Sequence, residues 1–229
     1  PYEGKKGKDS FTYVAIDAKG NSSKPATVKV SIQKQTTAVS YSDLAGDPAH
    51  YAALRLAEAG VYTGRKVGDL YCFDPDAAFT REEFMAMAMT AAGKAPLSDV
   101  TLTGFYDDGD ISAWAKGYVS AALVVGTVEG SRNHLGQTVF TPGSPITQAE
   151  AAVIIDRLLA TGDVSGSSSA FSAETAPAWA YQSVVNMEAV SVISSSTDLS
   201  KPLTRAQSAQ MLSAMLDVLD ARDAGGWPW

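Results

Sequence analysis

The chain has 229 residues, of which 45% are hydrophobic and 19% are charged, a composition typical of a folded soluble protein. Its net charge of -7 is unevenly spread, since residues 1–38 carry +4 and residues 39–229 carry -11. This asymmetry predicts two regions of different origin. The acidic bulk lacks the basic face that phosphate binding needs, so we expect no nucleic-acid partner.

The single cysteine, Cys72, excludes a disulfide framework. One Cys and two distant His residues (His50 and His134) cannot form a zinc site, and we expect neither a metal nor a cofactor. Cys72 is interpreted as a small buried residue rather than a nucleophile. No apolar run of about eighteen residues predicts a membrane span. The chain opens at Pro1 without a signal peptide, so we expect a fragment of a longer protein.

The N-terminal region predicts a β-hairpin. Residues 10–18 are rich in β-branched and aromatic residues, residues 19–23 are typical of a turn, and residues 26–33 alternate with Val28, Val30 and Ile32 on one side. The pattern resembles the last two strands of the immunoglobulin- or cadherin-like modules of bacterial surface proteins. Residues 34–40 are polar and are typical of a linker, so the first region is expected to span 1–38.

The motif Thr80-Arg81-Glu82-Glu83 returns as Thr147-Gln148-Ala149-Glu150 and as Thr204-Arg205-Ala206-Gln207. In each copy the Thr hydroxyl can accept from the N–H three residues on, while the Glu or Gln reaches back to the Thr N–H. This capping box predicts a helix start, and the apolar runs that follow have helical spacing. The sequence therefore predicts three amphipathic helices that begin at these motifs.

A longer repeat surrounds each motif. The repeat unit contains an aromatic residue near an Asp, a first helix, a Gly-rich loop, Phe-x-Pro, the capping box and a second helix. The third copy has Ala173 in place of the Asp and has lost Phe-x-Pro. The first helices are predicted at 48–59, 112–125 and 177–190. The repeats are predicted at 39–95, 101–162 and 168–222, followed by a tail at 223–229. The fold class is therefore mainly α, with the repeats packed on one another.

The arginines at the helix starts need a separate explanation. Arg81 and Arg205 stand at the first helical position, where the helix dipole disfavours a cation by a few tenths to about 1 kcal/mol. Free N–H groups beside a guanidinium would form a receptor for a carboxylate or phosphate. Two alternatives remain open: the motifs are capping boxes alone, or the arginines form salt bridges with protein carboxylates.

The ordered series of motifs resembles a triplet of S-layer homology (SLH) motifs over roughly residues 41–222. The resemblance implies a three-pronged spindle with pseudo-threefold symmetry. It also implies a secreted protein held non-covalently on the Gram-positive cell wall. The implied partner is a secondary cell wall polysaccharide, often carrying an anionic pyruvate ketal.

The resemblance also implies ligand-binding residues. The anion-binding arginine of the family falls on Arg81 and Arg205, and the second copy has Gln148 there. The opening Asp falls on Asp43 and on Asp107 or Asp108. The family's Trp matches Trp114 and Trp179, where a ring either faces a sugar or packs in the core. We expect the second copy to bind an acidic sugar less well, and the third copy to complete the fold more than to bind.

Two other functions have to be weighed. The carboxylates at 107–110 and 74–76 could cleave glycosides or, at 107–110, hold calcium, but they are typical of solvated turns and lack the calcium-loop pattern. No nucleophile-elbow, phosphate-loop or metalloprotease motif is present, so we expect no enzyme. The alternative to wall binding is a protein–protein module of a surface layer or adhesin, which self-assembles or binds a host partner without binding sugar.

Overall fold

A computed structural model of the chain describes residues 6–32, 35–165, 169–172 and 174–225. Contacts between residues divide the chain into two compact units, 1–38 and 39–229. The predicted tail lies largely outside the described residues, because the description ends at Gly225.

The first unit is an antiparallel hairpin of β1 (Gly7–Tyr13) and β2 (Ala26–Ile32), in a register that sets Phe11 opposite Val28. The strand pair begins earlier than the sequence predicts, and it stops at Tyr13. Beyond that point the Asp17 carboxylate accepts the N–H groups of Lys19 and Asn21, both at 2.8 Å, and so bends the backbone into a turn.

Within its described residues the second unit contains six α-helices, two in each copy of the repeat. Their bounds are α1 His50–Glu58, α2 Arg81–Ala91, α3 Lys116–Val124, α4 Gln148–Leu159, α5 Tyr181–Ala189 and α6 Arg205–Asp223. The first helices of copies two and three begin four residues later than predicted. Ser112 and Pro177 instead open a separate turn, in which their carbonyls accept from the N–H groups of Ala115 and Ala180.

Among the described residues, two further short hairpins lie within the loops between the first and second helices, which the sequence predicts only to be Gly-rich. In copy one, β3 (Arg65–Val67) pairs with β4 (Leu70–Cys72), and in copy two, β5 (Ser131–Arg132) pairs with β6 (Thr138–Val139). The first had a usable signal, since Gly68-Asp69 between apolar residues is a two-residue hairpin turn. A short 3₁₀ helix covers Asp108–Asp110.

All three second helices begin with the predicted capping box. Thr80, Thr147 and Thr204 are the N-cap residues, and each accepts from the N–H three residues on. The reciprocal bonds run from the N–H of Thr80 to Glu83 at 2.8 Å, from Thr147 to Glu150 at 2.9 Å and from Thr204 to Gln207 at 3.0 Å. The helix boundaries that depend on local chemistry are therefore where the sequence predicts them.

The three copies are joined in a cycle by backbone hydrogen bonds. The Arg81 N–H donates to the Ser144 carbonyl of copy two at 2.8 Å, and the Gln148 N–H donates to the Lys201 carbonyl of copy three at 3.2 Å. The Arg205 N–H then donates to the Ala77 carbonyl of copy one at 2.6 Å. Each second helix thus starts against the turn that precedes the next one.

Helix packing follows the same order. The second helices α2, α4 and α6 contact one another, while α3 packs on α2, α5 on α4 and α1 on α6. The first helix of each copy therefore packs on the second helix of the preceding copy. Arg55 of α1 strengthens the last contact by pairing with Asp217 and Asp220 of α6. The predicted three-pronged outline stays a prediction.

The hydrophobic core is built from the repeat motifs themselves. The aromatic residues near the Asp positions (Tyr41, Phe105 and Phe171) are buried, as are Phe73 and Phe140 of Phe-x-Pro. The methionines of α2 and α6 are buried too, in accord with their helical spacing.

Candidate functional site

A cavity of about 340 Å³ lies where copies one and two meet; we call it the Arg81 cleft. Arg81 lies at the start of α2, and Glu150 and Arg157 belong to α4. The loop after α3 adds residues 127–131, and Trp179 comes from copy three. The cleft is therefore formed by all three copies.

The Arg81 guanidinium is only partly engaged by protein. Its Nη2 pairs with Glu150 Oε1 at 2.6 Å, and both side chains are about one-fifth exposed. Its Nε is buried and has no hydrogen-bond partner among the described residues. The salt-bridge alternative is thus correct for one edge of the guanidinium, and Nε is left for another acceptor.

Glu150 is held in its charged form. Burial opposes ionisation, but the Thr147 N–H and the Arg81 guanidinium outweigh it and lower the pKa of the Glu150 carboxyl. Arg157 pairs in turn with Glu129 at 2.9 Å and donates to the Thr127 carbonyl at 3.4 Å. The two cations and two anions of the cleft balance.

The prediction of free N–H groups at these helix starts is wrong. In copy one the Arg81 and Glu82 N–H groups donate to the Ser144 and Pro142 carbonyls of copy two, at 2.8 and 3.2 Å. The turn before the next helix takes up the donors that an anion would need. Any ligand must therefore bind to side chains rather than to the helix terminus.

Thr127 is a cleft residue that the sequence analysis missed. It is 2% exposed, and its Oγ1 has no hydrogen-bond partner among the described residues. A buried hydroxyl without a partner costs about 1–3 kcal/mol. Arg81 and Thr127, which carry these two orphaned atoms, both line the same cavity. The only sequence signal was its place just after Gly126, where α3 ends.

The two tryptophans are not core residues. Trp179 is 62% exposed and lines the Arg81 cleft, whereas Trp114 is 54% exposed and lines neither that cleft nor the larger cavity beside Gln148. Of the two predicted rings, only Trp179 is brought to Arg81.

Arg205 has different surroundings from Arg81. Its Nη1 lies 3.3 Å from both the Asp74 carboxylate and the Phe73 carbonyl, and its guanidinium lies over the Phe79 ring, 5.1 Å from the centroid. It lines neither of those two cavities, although its Nε also has no hydrogen-bond partner in the part of the chain that the structure describes. These contacts favour the salt-bridge alternative for Arg205.

The resemblance predicts that Asp43 and Asp107 bind ligand. In the structure their carboxylates accept hydrogen bonds from backbone N–H groups. Asp43 accepts from the N–H groups of Phe73 and Asp74, and Asp107 accepts from those of Phe140 and Thr141 at 2.9 and 2.7 Å. Asp74 and Thr141 have φ of 55° and 56°, a conformation that the carboxylates stabilise. The two carboxylates are therefore structural.

The other polar candidates are also committed to protein contacts. The Cys72 thiol donates to Asp74 and Asp43, which raise its pKa to about 11 and keep it protonated at neutral pH. Asp108 accepts from Lys116 at 2.5 Å and from the Thr103 N–H at 2.7 Å. These bonds lower the pKa of Asp108 to about 2.

A second cavity, of about 610 Å³, occupies the equivalent place between copies two and three; we call it the Gln148 cleft. Gln148 stands where Arg81 stands in the first cleft, and the loop after α5 contributes residues 191–195. The predicted residue Gln148 is thus brought to a cavity of its own, separate from Arg81.

Within the described residues, none of the helices has the length and apolar character that crossing a bilayer requires.

No protein-family model matches the chain. It is 34% identical over 133 residues to an amylopullulanase of Thermoanaerobacterium thermosulfurigenes and 29% identical over 129 residues to a surface-layer 125 kDa protein of Lysinibacillus sphaericus. It is 36% identical over 105 residues to exoglucanase XynX of Acetivibrio thermocellus. The matches cover 57%, 55% and 44% of this chain but 7%, 10% and 9% of those proteins.

Proposed function

We propose that the chain anchors an extracellular protein to the bacterial cell wall, by non-covalent binding of an acidic secondary cell wall polysaccharide in the Arg81 cleft. The observation that carries the proposal is that two residues lining that cleft, Arg81 and Thr127, each have an orphaned polar atom, Nε and Oγ1. Both are buried and have no partner among the described residues, so a ligand oxygen that reached them would relieve an existing cost.

The relatives support this role. One is a surface-layer protein, and the other two are named for enzymes. The similarity to each takes up a tenth of that protein or less, so what they share with this chain is a small part. A wall-anchoring region joined to different partners would give this pattern, and the anchoring region itself would not be catalytic.

The chemistry of recognition follows from the cleft. A ligand carboxylate, such as that of a pyruvate ketal, would accept from Arg81 Nε in a charge-assisted hydrogen bond, with Thr127 as a second donor. The exposed Trp179 ring would cover an apolar sugar face. Glu150 already neutralises part of the Arg81 charge, which favours a ligand of low charge density over a phosphate.

A wall pull-down tests the proposal. The protein is mixed with purified cell wall sacculi, and the bound fraction is compared with that on sacculi stripped of polysaccharide by hydrofluoric acid. We expect binding only to untreated walls. Arg81→Ala should weaken it at least about tenfold, the value of one charge-assisted hydrogen bond. Gln148→Ala is the matched control and should lose less.

Equal losses in the two variants would contradict the acidic-sugar proposal. Undiminished retention on stripped walls would favour the second candidate, a protein–protein or self-assembly module of a surface layer or adhesin that does not bind sugar. The sequence similarity to a surface-layer protein is the observation that supports this second candidate.

A further inference from the structure

At the four positions that carry charged side chains in the Arg81 cleft, the Gln148 cleft has uncharged ones. The four charged residues of the first cleft are Arg81, Glu129, Glu150 and Arg157. Counting from the capping-box Thr and from the end of the first helix, their equivalents are, in that order, Gln148, Ser194, Gln207 and Ala214. All four equivalents line the second cavity.

The equivalence rests on backbone bonds as well as on spacing. After α3 the Thr127 and Val128 N–H groups both donate to the Ala122 carbonyl, and after α5 the Val192 and Ile193 N–H groups both donate to the Met187 carbonyl. The two loops therefore leave their helices in the same way. The loss of charge is a change of side chains on a matched backbone.

No lysine or arginine lines the Gln148 cleft as described, and its one carboxylate is engaged. Glu188 accepts from the Ser169 hydroxyl and from the Ala170 N–H at 3.2 Å. An anionic ligand would meet a carboxylate and no cation, so Coulomb repulsion disfavours it.

The cleft is nevertheless polar. Gln148 and Gln210 make no side-chain hydrogen bond to the described residues, and Gln207 uses only its Oε1, on the Thr204 N–H at 3.0 Å. Each amide can donate and accept, as sugar hydroxyls also do. Leu203 and Met211 add apolar surface beside these amides.

We propose that the Gln148 cleft binds an uncharged sugar residue, so that the chain binds an acidic and a neutral sugar residue of a glycan in two separate clefts. This inference rests on the proposed function, since it assigns the second cleft to the same class of ligand. The amides of Gln148, Gln207 and Gln210 bind hydroxyl groups, and the absence of a cation rejects a carboxylate.

Nuclear magnetic resonance of the ¹⁵N-labelled chain tests the two clefts separately. The probes are methyl β-glucoside, methyl N-acetyl-β-glucosaminide and methyl β-glucuronide. The glucuronide differs from the glucoside only by a carboxylate in place of the C6 hydroxymethyl group. The reporters are the backbone amides of Ser194 and Ser195 for the Gln148 cleft, and the Gly130 amide and Trp179 indole N–H for the Arg81 cleft.

We expect at least one neutral probe in the millimolar range to shift the Ser194 and Ser195 signals, with the glucuronide at least about tenfold weaker there. Gln148→Ala should raise the Kd of the neutral probe about fivefold, as expected for one neutral hydrogen bond. Gln148→Arg should introduce binding of the glucuronide in that cleft, because it supplies a cation for the carboxylate. Arg81→Ala is the control and should leave the Ser194 and Ser195 shifts unchanged.

The inference is overturned if neither neutral probe shifts Ser194 and Ser195, or if the glucuronide shifts them as strongly. Such a result leaves the proposed function standing when walls are still bound through Arg81. Conversely, neutral-sugar shifts at Ser194 together with wall binding that does not depend on Arg81 would defeat the proposed function alone.

Discussion

In each of the first two copies, the turn that contains Phe-x-Pro is held by hydrogen bonds to one Asp carboxylate. Asp107 accepts the N–H groups of Phe140 and Thr141, which have no other acceptor among the described residues. We predict that Asp107→Ala lowers the free energy of unfolding by about 2–4 kcal/mol, since two backbone donors lose their acceptor. Chemical denaturation measures the change. Asp110→Ala, a change at an exposed residue of the same loop, should stay within about 0.5 kcal/mol.

Asp108 predicts an acid-dependent contribution to stability. Its bonds to Lys116 and Thr103 lower its pKa to about 2 in the folded state, against about 4 in the unfolded chain. The stabilisation is therefore fully present above about pH 4 and is lost as the pH falls toward 2. Urea unfolding at a series of pH values should give wild type and Asp108→Asn a stability gap that closes across this window. A gap that stays constant, or that widens in acid, would contradict the assignment.

The sequence predicted where some site residues lie along the helices, but it did not predict their contacts with distant parts of the chain. The placement of Arg81 at a helix start followed from local chemistry, because the capping box is confined to four residues. Its partner Glu150 lies 69 residues away, and no local pattern indicates that pair. The backbone contacts of Asp43 and Asp107 could not be predicted for the same reason, since the N–H groups they bind are supplied from about thirty residues downstream.

Among the elements, the helices were easier to predict than their packing. Capping boxes and apolar spacing fixed the second helices. The first helices each pack on the preceding copy, and spacing within one copy carries no information on that choice. The hairpin β5–β6 was missed because its strands have two residues each, too few for an alternating pattern.

The loop beside the Arg81 cleft depends on a glycine. A Cβ at Gly130 would lie 2.5 Å from the Phe105 ring and 2.8 Å from the Val139 carbonyl, and its φ is +77°. We predict that Gly130→Ala displaces the loop, destabilises the fold by about 2 kcal/mol or more, and weakens wall binding. Gly136→Ala has a similar φ of +75° but open space, so it should lose only about 1 kcal/mol. Equal losses in the two variants would show that the contact is unimportant.

At the scale of the whole molecule, the third copy is needed by the first two. It supplies the Lys201 and Leu199 carbonyls that accept from the start of α4, and it supplies Trp179 to the Arg81 cleft. We predict that a chain ending at residue 162 loses cooperative unfolding, followed by circular dichroism, and no longer binds walls. Trp179→Ala in the full chain should unfold as wild type does, because the ring is exposed, yet bind walls several-fold less. A shortened chain that keeps both properties would contradict the cyclic dependence.

The backbone hydrogen bonds between copy three and copy one complete the cycle, and this also limits how many copies can pack together. In an open solenoid the terminal units leave a face to which another unit can be added. Here no second helix has an unused start, so a fourth copy could join only by breaking one of the three junctions. Higher valency on a wall would then come from multiplying complete triplets, joined by flexible segments, and avidity would rise in steps of a whole triplet.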